Sequence, residues 1–356
     1  MSFFNLFSSF LITTASLYAL KPMANRLGLV DIPGGRKTHG QTTPLIGGLG
    51  IYLGTFVMCL FVPTVFSQYS ALLSLSALVL FIGIFDDARE LRASVRTGFH
   101  TLAALLMATI GGVRLESLGD IIGMGPIDLG IMSVPVTVFA TVGVVNAINM
   151  ADGLDGLSGG LVLIILGFIG ASAMVASDLA LLGFVSLLGC AVAAFLMMNF
   201  RLLWKKNAMI YLGDAGSTML GFMLAWLLIS GSQGTSPIFP PVIALWFLAI
   251  PLFDTVYLFV ARPLRKKSPF KPGLDHIHHQ IAKNGSSIRQ TVLLLYTATF
   301  IFGAIGFIGL KLQVTETFMF LAFIALFVFY VHISQVLSQA RSRGKNLQHP
   351  QRRIND

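Results

Sequence analysis

The sequence predicts an all-α, polytopic membrane protein with about eleven transmembrane helices. Three observations predict it. Over 356 residues, 55% are hydrophobic and only 11% are charged, against roughly a quarter in soluble domains. Mean hydropathy is +0.81, so the chain cannot cover a water-facing surface. The apolar residues gather into runs of spanning length, and the basic residues fall almost entirely between alternate runs.

In chain order the runs are roughly 3–20, 45–66, 70–85, 98–113, 131–150, 159–177, 179–199, 216–231, 238–261, 290–310 and 317–338. The first lacks a basic leader and a small-residue cleavage site, so it reads as a retained span, not a signal peptide. The third and fourth are short. Only Ser177 and Asp178 divide the sixth from the seventh, but 159–199 is twice one span and counts as two. Pro251 is expected to bend the ninth. Ser287-Ile288-Arg289-Gln290 is a capping box opening the tenth. Between the fourth and fifth, Gly119, Gly123, Gly125 and Pro126 suit a small periplasmic hairpin near 113–130. Residues 1–338 read as one integral membrane domain. Residues 339–356 form a basic cytoplasmic tail, an anchor for topology or for anionic headgroups. Cys59 and Cys190 lie in apolar runs and read as packing residues.

Loops after odd-numbered helices, with the tail, hold 22 of the 24 Lys and Arg; only Arg114 and Lys311 fall opposite. The positive-inside rule puts those loops and the C-terminus in the cytoplasm and the N-terminus outside. Of 15 acidic residues, 9 fall on that same basic side, in clusters. Topology control explains the bases but not the clustered acids. Embedded carboxylates on a basic face suit an anionic substrate held through a divalent cation.

Four clusters carry candidate chemistry. Asp86 and Asp87 stand together at a membrane boundary, where adjacent carboxylates repel unless a cation compensates; a solvated helix end explains them equally well. Asn146-Ala147-Ile148-Asn149-Met150-Ala151-Asp152-Gly153-Leu154-Asp155-Gly156 sets two amides and two carboxylates at the end of an apolar helix, which exceeds what a C-cap and turn require. Asp214, between Gly213 and Ala215-Gly216-Ser217, reads as a helix N-cap or, with Asn149, as an oxygen-ligand pair of the kind magnesium prefers. Asp275-His276-Ile277-His278-His279 lies in a loop with seven Lys and Arg and fits an anion site better than zinc, since no Cys is near. Lys37 and His39 join that pocket or serve topology alone. Asp254, within a span, needs a partner or a function.

Taken together, Asp-Asp, Asn-x-x-Asn-x-x-Asp-Gly-x-Asp-Gly, Gly-Asp-x-Gly-Ser and the His loop, in this order over nearly the whole chain, resemble the polyprenyl-phosphate N-acetylhexosamine-1-phosphate transferase family. The resemblance implies an all-helical fold of the same span number in the bacterial inner membrane, with a cytoplasmic-face site. It implies Mg2+, or Mn2+ in its place, at Asn149 and Asp214. Asp86 and Asp87 are expected to handle the acceptor. With Asp152 and Asp155 they are the expected catalytic carboxylates. Lys37, His39, Asn146, Arg262, His276, His278 and His279 are the expected substrate-binding set. The expected substrates are UDP-GlcNAc and undecaprenyl phosphate. Membrane lipids surround the chain, a homodimer is admitted, and nucleic acid is not expected. Ile277 interrupts the histidine run usual in the branch that uses UDP-MurNAc-pentapeptide, which favours the N-acetylglucosamine branch. Glu90 stands where close relatives often carry a third Asp. Outside the family the alternatives are a transporter, which should show charges at mid-span in several helices, and a lipid phosphatase, which leaves the His loop unexplained.

Overall fold

The computed structural model describes residues 2–31, 42–201, 207–268 and 273–348, with backbone alone from 339 to 348. Lys37, His39, the Pro269–Pro272 stretch and the end of the tail lie outside the described residues. Within them the chain is almost entirely helical: α1 (Phe3–Leu27), α2 (Gly47–Leu60), α3 (Pro63–Arg89), α4 (Ala93–Thr109), α5 (Ser133–Ala151), α6 (Leu157–Val175), α7 (Leu179–Asn199), α8 (Gly213–Ser232), α9 (Pro241–Phe247), α10 (Ala249–Leu264), α11 (Ile277–Lys283), α12 (Ile288–Lys311) and α13 (Glu316–Gln348). Among the described residues, eight helices are long and apolar enough to cross a membrane. α9 and α10, bent by 87°, make a ninth if read as one broken span. Each of the eleven apolar runs lies on one of these helices or on this pair, but α2 and α4 fall short of span length. The chain is a multi-pass membrane protein.

Local chemistry explains the boundaries. Ser177, in the left-handed region at φ 60°, ends α6, and the Asp178 carboxylate accepts from the Leu181 amide to open α7. The Ser287–Gln290 box closes in both directions, at 3.2 and 2.9 Å. The bend expected from Pro251 is present: α9 and α10 meet at 87° across Leu248, and Pro251, now in the first turn of α10, has no N–H to donate to the Phe247 carbonyl four residues back. Segment 113–130 folds back on itself: Leu118 N–H donates to Ile127 O at 3.0 Å, Ile127 N–H returns to Gly119 O at 3.1 Å, and Gln233 and Thr317 tie the hairpin to α8 and α13.

α8 is the central post. In its apolar window 94% of residues are buried. Small residues let the backbones of α2, α3 and α5 close on it: a Cβ on Gly48 would come within 2.2 Å of Gly216 Cα, one on Gly83 within 2.2 Å of Ala215 Cα, and one on Gly221 within 2.7 Å of Val145 Cα. Without a hydrophobic driving force between helices in lipid, such close backbone packing supplies the association energy. At one end, β1 (Val30–Asp31) and β2 (Thr43–Pro44) form a small antiparallel sheet. Tyr211 N–H donates to Pro44 O at 2.8 Å, and Gly47 N–H donates to Tyr211 O at 2.9 Å. These bonds fix the strand that feeds α8.

Candidate active site

The N-terminus of α8 organises the site. Asp87, on the last turn of α3, accepts the Asp214 N–H at 2.8 Å with one carboxylate oxygen and the Ala215 N–H at 3.1 Å with the other. Two orphan amides of α8 are thus capped from another helix. Gly213, at φ 77°, admits this approach: a Cβ there would lie 2.5 Å from Asp87 Oδ2. Asp214 is therefore not the N-cap of α8. It sits in the first turn with its own carboxylate free for other partners.

Those partners come from α5 and α4. Asn149 Nδ2 donates to Asp214 Oδ1 at 2.8 Å and to Ser217 Oγ at 2.9 Å. Arg96 Nη1 lies between two carboxylates, 2.9 Å from Asp214 Oδ2 and 2.8 Å from Asp86 Oδ2. The other Asp86 oxygen accepts the Leu91 N–H at 2.8 Å, where Glu90, in the left-handed region, ends α3. So Asp86, Asp87, Asn149 and Asp214, spread over three helices, meet in one network. Asn146 does not join it by a hydrogen bond; its amide returns to Val142 O at 2.8 Å on its own helix.

Asp152 follows α5 directly and is half-buried. Burial, and then the charges of Asp214, Asp87 and Asp155, hold its carboxyl well above the usual carboxylate range. Asp155 instead ion-pairs with Arg201 Nε at 2.6 Å. Asn199 and Tyr296 brace this turn: Gly156 N–H donates to Asn199 Oδ1 at 2.7 Å, and the Tyr296 hydroxyl donates to Gly156 O.

The His turn packs on the same end. His278 is buried, its Nε2 has no hydrogen-bond partner among the described residues, and a Cβ on Gly153 would come within 2.3 Å of that nitrogen. Burial, then the neighbouring His279, pushes the His278 imidazole down to about 3, and burial with His276 pushes His279 to about 4. Arg262 is also buried and binds Asp275 in a fork, at 3.0 and 2.6 Å. His276, buried as well, reaches Asp254. Of the three histidines, His279 is the one left partly exposed.

The donor set suits a hard divalent cation. The carboxylates raise one another's proton affinity, which marks negative charge that a cation would relieve. Asn149 and Asp214 stand side by side and offer oxygen ligands. Among the described residues no three His, Cys, Asp or Glu side chains close into a metal cage.

Three residues of this site carry no functional signal in the sequence: Arg96 reads there as one more topology charge, and Asn199 and Tyr296 have no local signature.

The model of glycosyl transferase family 4 matches residues 69–232. An undecaprenyl-phosphate alpha-N-acetylglucosaminyl 1-phosphate transferase of Yersinia pestis is 33% identical over 90% of this chain and 88% of its own. The chain belongs to glycosyl transferase family 4. Transferases of the same name from Haemophilus influenzae and Escherichia coli O157:H7 are similar too. The first is 34% identical over 96% of this chain and 99% of its own, the second 33% over 92% and 89%. The stretch matched by the family 4 model runs from within α3 to the end of α8, so it contains the whole network around Asp214; the relatives' similarity extends past it.

Proposed function

We propose that this family 4 member transfers GlcNAc-1-phosphate from UDP-GlcNAc to undecaprenyl phosphate, releases UMP, and so begins a lipid-linked envelope polysaccharide. The observation that carries the reading is the convergence of Asp86, Asp87, Asn149 and Asp214 around the first turn of α8. The charge pattern supports eleven crossings, with α2 and α4 as short spans, in the bacterial inner membrane with this end cytoplasmic. In this orientation a soluble nucleotide sugar and a membrane-bound phosphate meet at the site.

Catalysis of this kind is mostly positioning and charge neutralisation. The acceptor phosphate, with a second pKa near 6, is already largely dianionic at neutral pH, so no strong base is needed. Asp87 has both oxygens on backbone amides and acts by holding Asp214 in place. Asp86 and Arg96 lie beside it and orient the acceptor phosphate. Asn149 and Asp214 would hold magnesium, which would supply neutralisation of the charge that develops on the leaving UMP. The His turn, with Asp152 and Gly153 beneath His278, receives the diphosphate of the donor.

The test is UMP release by the purified protein with undecaprenyl phosphate and magnesium, offering UDP-GlcNAc, UDP-GalNAc or UDP-MurNAc-pentapeptide in turn. Release from UDP-GlcNAc alone, abolished by EDTA, is expected. Release from the muramyl donor alone overturns the donor, and release from none overturns the reaction.

A further inference from the structure

Asp254 stands away from the acid network, on α10, and is 6% exposed. A carboxylate so far from water is costly unless its oxygens are satisfied. Three donors satisfy it. His276 Nδ1 lies 2.6 Å from Oδ2, and the Ile277 N–H and the Tyr330 hydroxyl lie 2.9 and 2.8 Å from Oδ1. Two of these donors belong to the start of α11 and the third to α13.

The proton positions then follow in sequence. With Nδ1–H given to Asp254, the other ring nitrogen of His276 is the acceptor. That nitrogen faces Arg262 Nη2 at 3.3 Å, and guanidinium can only donate. The opposite tautomer would set donor against donor. Arg262 is in turn held by the Asp275 fork. The rings of His276 and His278 are stacked, 5.5 Å apart and inclined by 15°, and His278 touches His279 at 4.2 Å between ring centres. Displacing His276 displaces the set.

We propose that Asp254, backed by Tyr330, is a positioning residue for the nucleoside-diphosphate sugar: it fixes the tautomer and place of His276 and thereby sets the His turn against the Asp152–Gly153 turn. This rests on the donor-binding reading of that turn. Asp254 touches no substrate and acts only through His276, Arg262 and the first amide of α11.

The experiment uses the full chain in detergent with Asp254→Asn, Asp254→Glu and Tyr330→Phe. KM is measured for UDP-GlcNAc and for undecaprenyl phosphate separately, and the ring-nitrogen shifts of His276 are read by 15N NMR, assigned through His276→Gln. Asn at 254 presents an NH2 to Nδ1 and forces the other tautomer. The expected result is a donor KM raised about 10- to 100-fold in Asp254→Asn, the range typical when a histidine loses its orienting partner. Tyr330→Phe should raise it several-fold and Asp254→Glu should fall between, with lipid KM held within about 2-fold in all three. The two nitrogen shifts should exchange in Asp254→Asn and stay in place in Asp254→Glu. Equal changes in both KM values, an unchanged donor KM, or unexchanged shifts in Asp254→Asn overturn the proposal. If Asp254→Asn does not fold, Tyr330→Phe decides by its donor KM. If the wild type releases no UMP, the transferase reading fails on its own, and the nitrogen shifts alone decide the positioning role.

Discussion

Both oxygens of Asp87 are engaged by backbone amides, so its loss should act through geometry and not through proton transfer. In Asp87→Asn, one amide of α8 would face an NH2 group. A displaced catalytic geometry of about 1 Å costs on the order of 100-fold, so activity should fall by at least about that factor. The deficit should be flat in a kcat/KM profile of UMP release between about pH 6.5 and 9; recovery at alkaline pH would identify Asp87 as a base instead. Arg96 is the second test. Its guanidinium bridges a buried carboxylate, Asp86, and a more open one, Asp214, and is itself 32% exposed. Breaking a fully buried pair costs about 3–5 kcal/mol; solvent screening at Arg96 brings the expected cost of Arg96→Gln to about 2 kcal/mol. It should appear as a lowered unfolding temperature with activity lost, and an unchanged melt would show the bridge to be slack. The acids of this network were legible because carboxylates and amides at the ends of apolar runs are expensive. Arg96 was not, because its partners lie 10 and 118 residues away and a basic residue in a basic loop needs no further reason.

Among the elements, α11 is short and depends on what it packs against. His278 is held neutral by burial, at about 3, while an unfolded histidine takes its proton near 6.5. Between those values the unfolded chain binds a proton that the folded chain refuses. This contribution to stability is therefore whole above about pH 6.5 and shrinks as pH falls toward 3. Melting in detergent from about pH 7.5 down to about pH 5 should show the wild type losing more of its unfolding temperature than His278→Leu does; parallel curves would refute it. Gly153→Ala tests the same contact from below. Its Cβ would press within 2.3 Å of His278 Nε2, so the His turn must lift, and the KM for UDP-GlcNAc should rise about 10-fold or more while that for the lipid holds. Periodicity and caps made most helices readable, down to the Ser287 box and the Ser177–Asp178 break. Pro251 marked a bend in the ninth run, but not its size: an 87° turn that splits the run into α9 and α10 depends on what the two halves pack against.

For the whole molecule, charge sets a falsifiable orientation. With Cys59 and Cys190 replaced, a cysteine at Met124, which is 86% exposed at the hairpin tip, should react with an impermeant maleimide on intact spheroplasts. One at Leu91, just past the end of α3, should react only after lysis; the reverse pattern would invert the topology. The loop asymmetry was legible because it is a property of the sequence as a whole. The small sheet under α8 was not, since Tyr211 bonds to Pro44 across nearly half the length of the chain. α8 touches its neighbours backbone to backbone at Gly48, Gly83 and Gly221, so even one added methyl along that contact has nowhere to go. Added bulk at these three glycines thus pushes on the post that carries Asp214. The His turn is instead tied to the bundle by side chains, Asp254, Tyr330 and the Arg262–Asp275 fork among them, so a substitution there shifts the seat of the donor and leaves the backbone contacts of the post as they are.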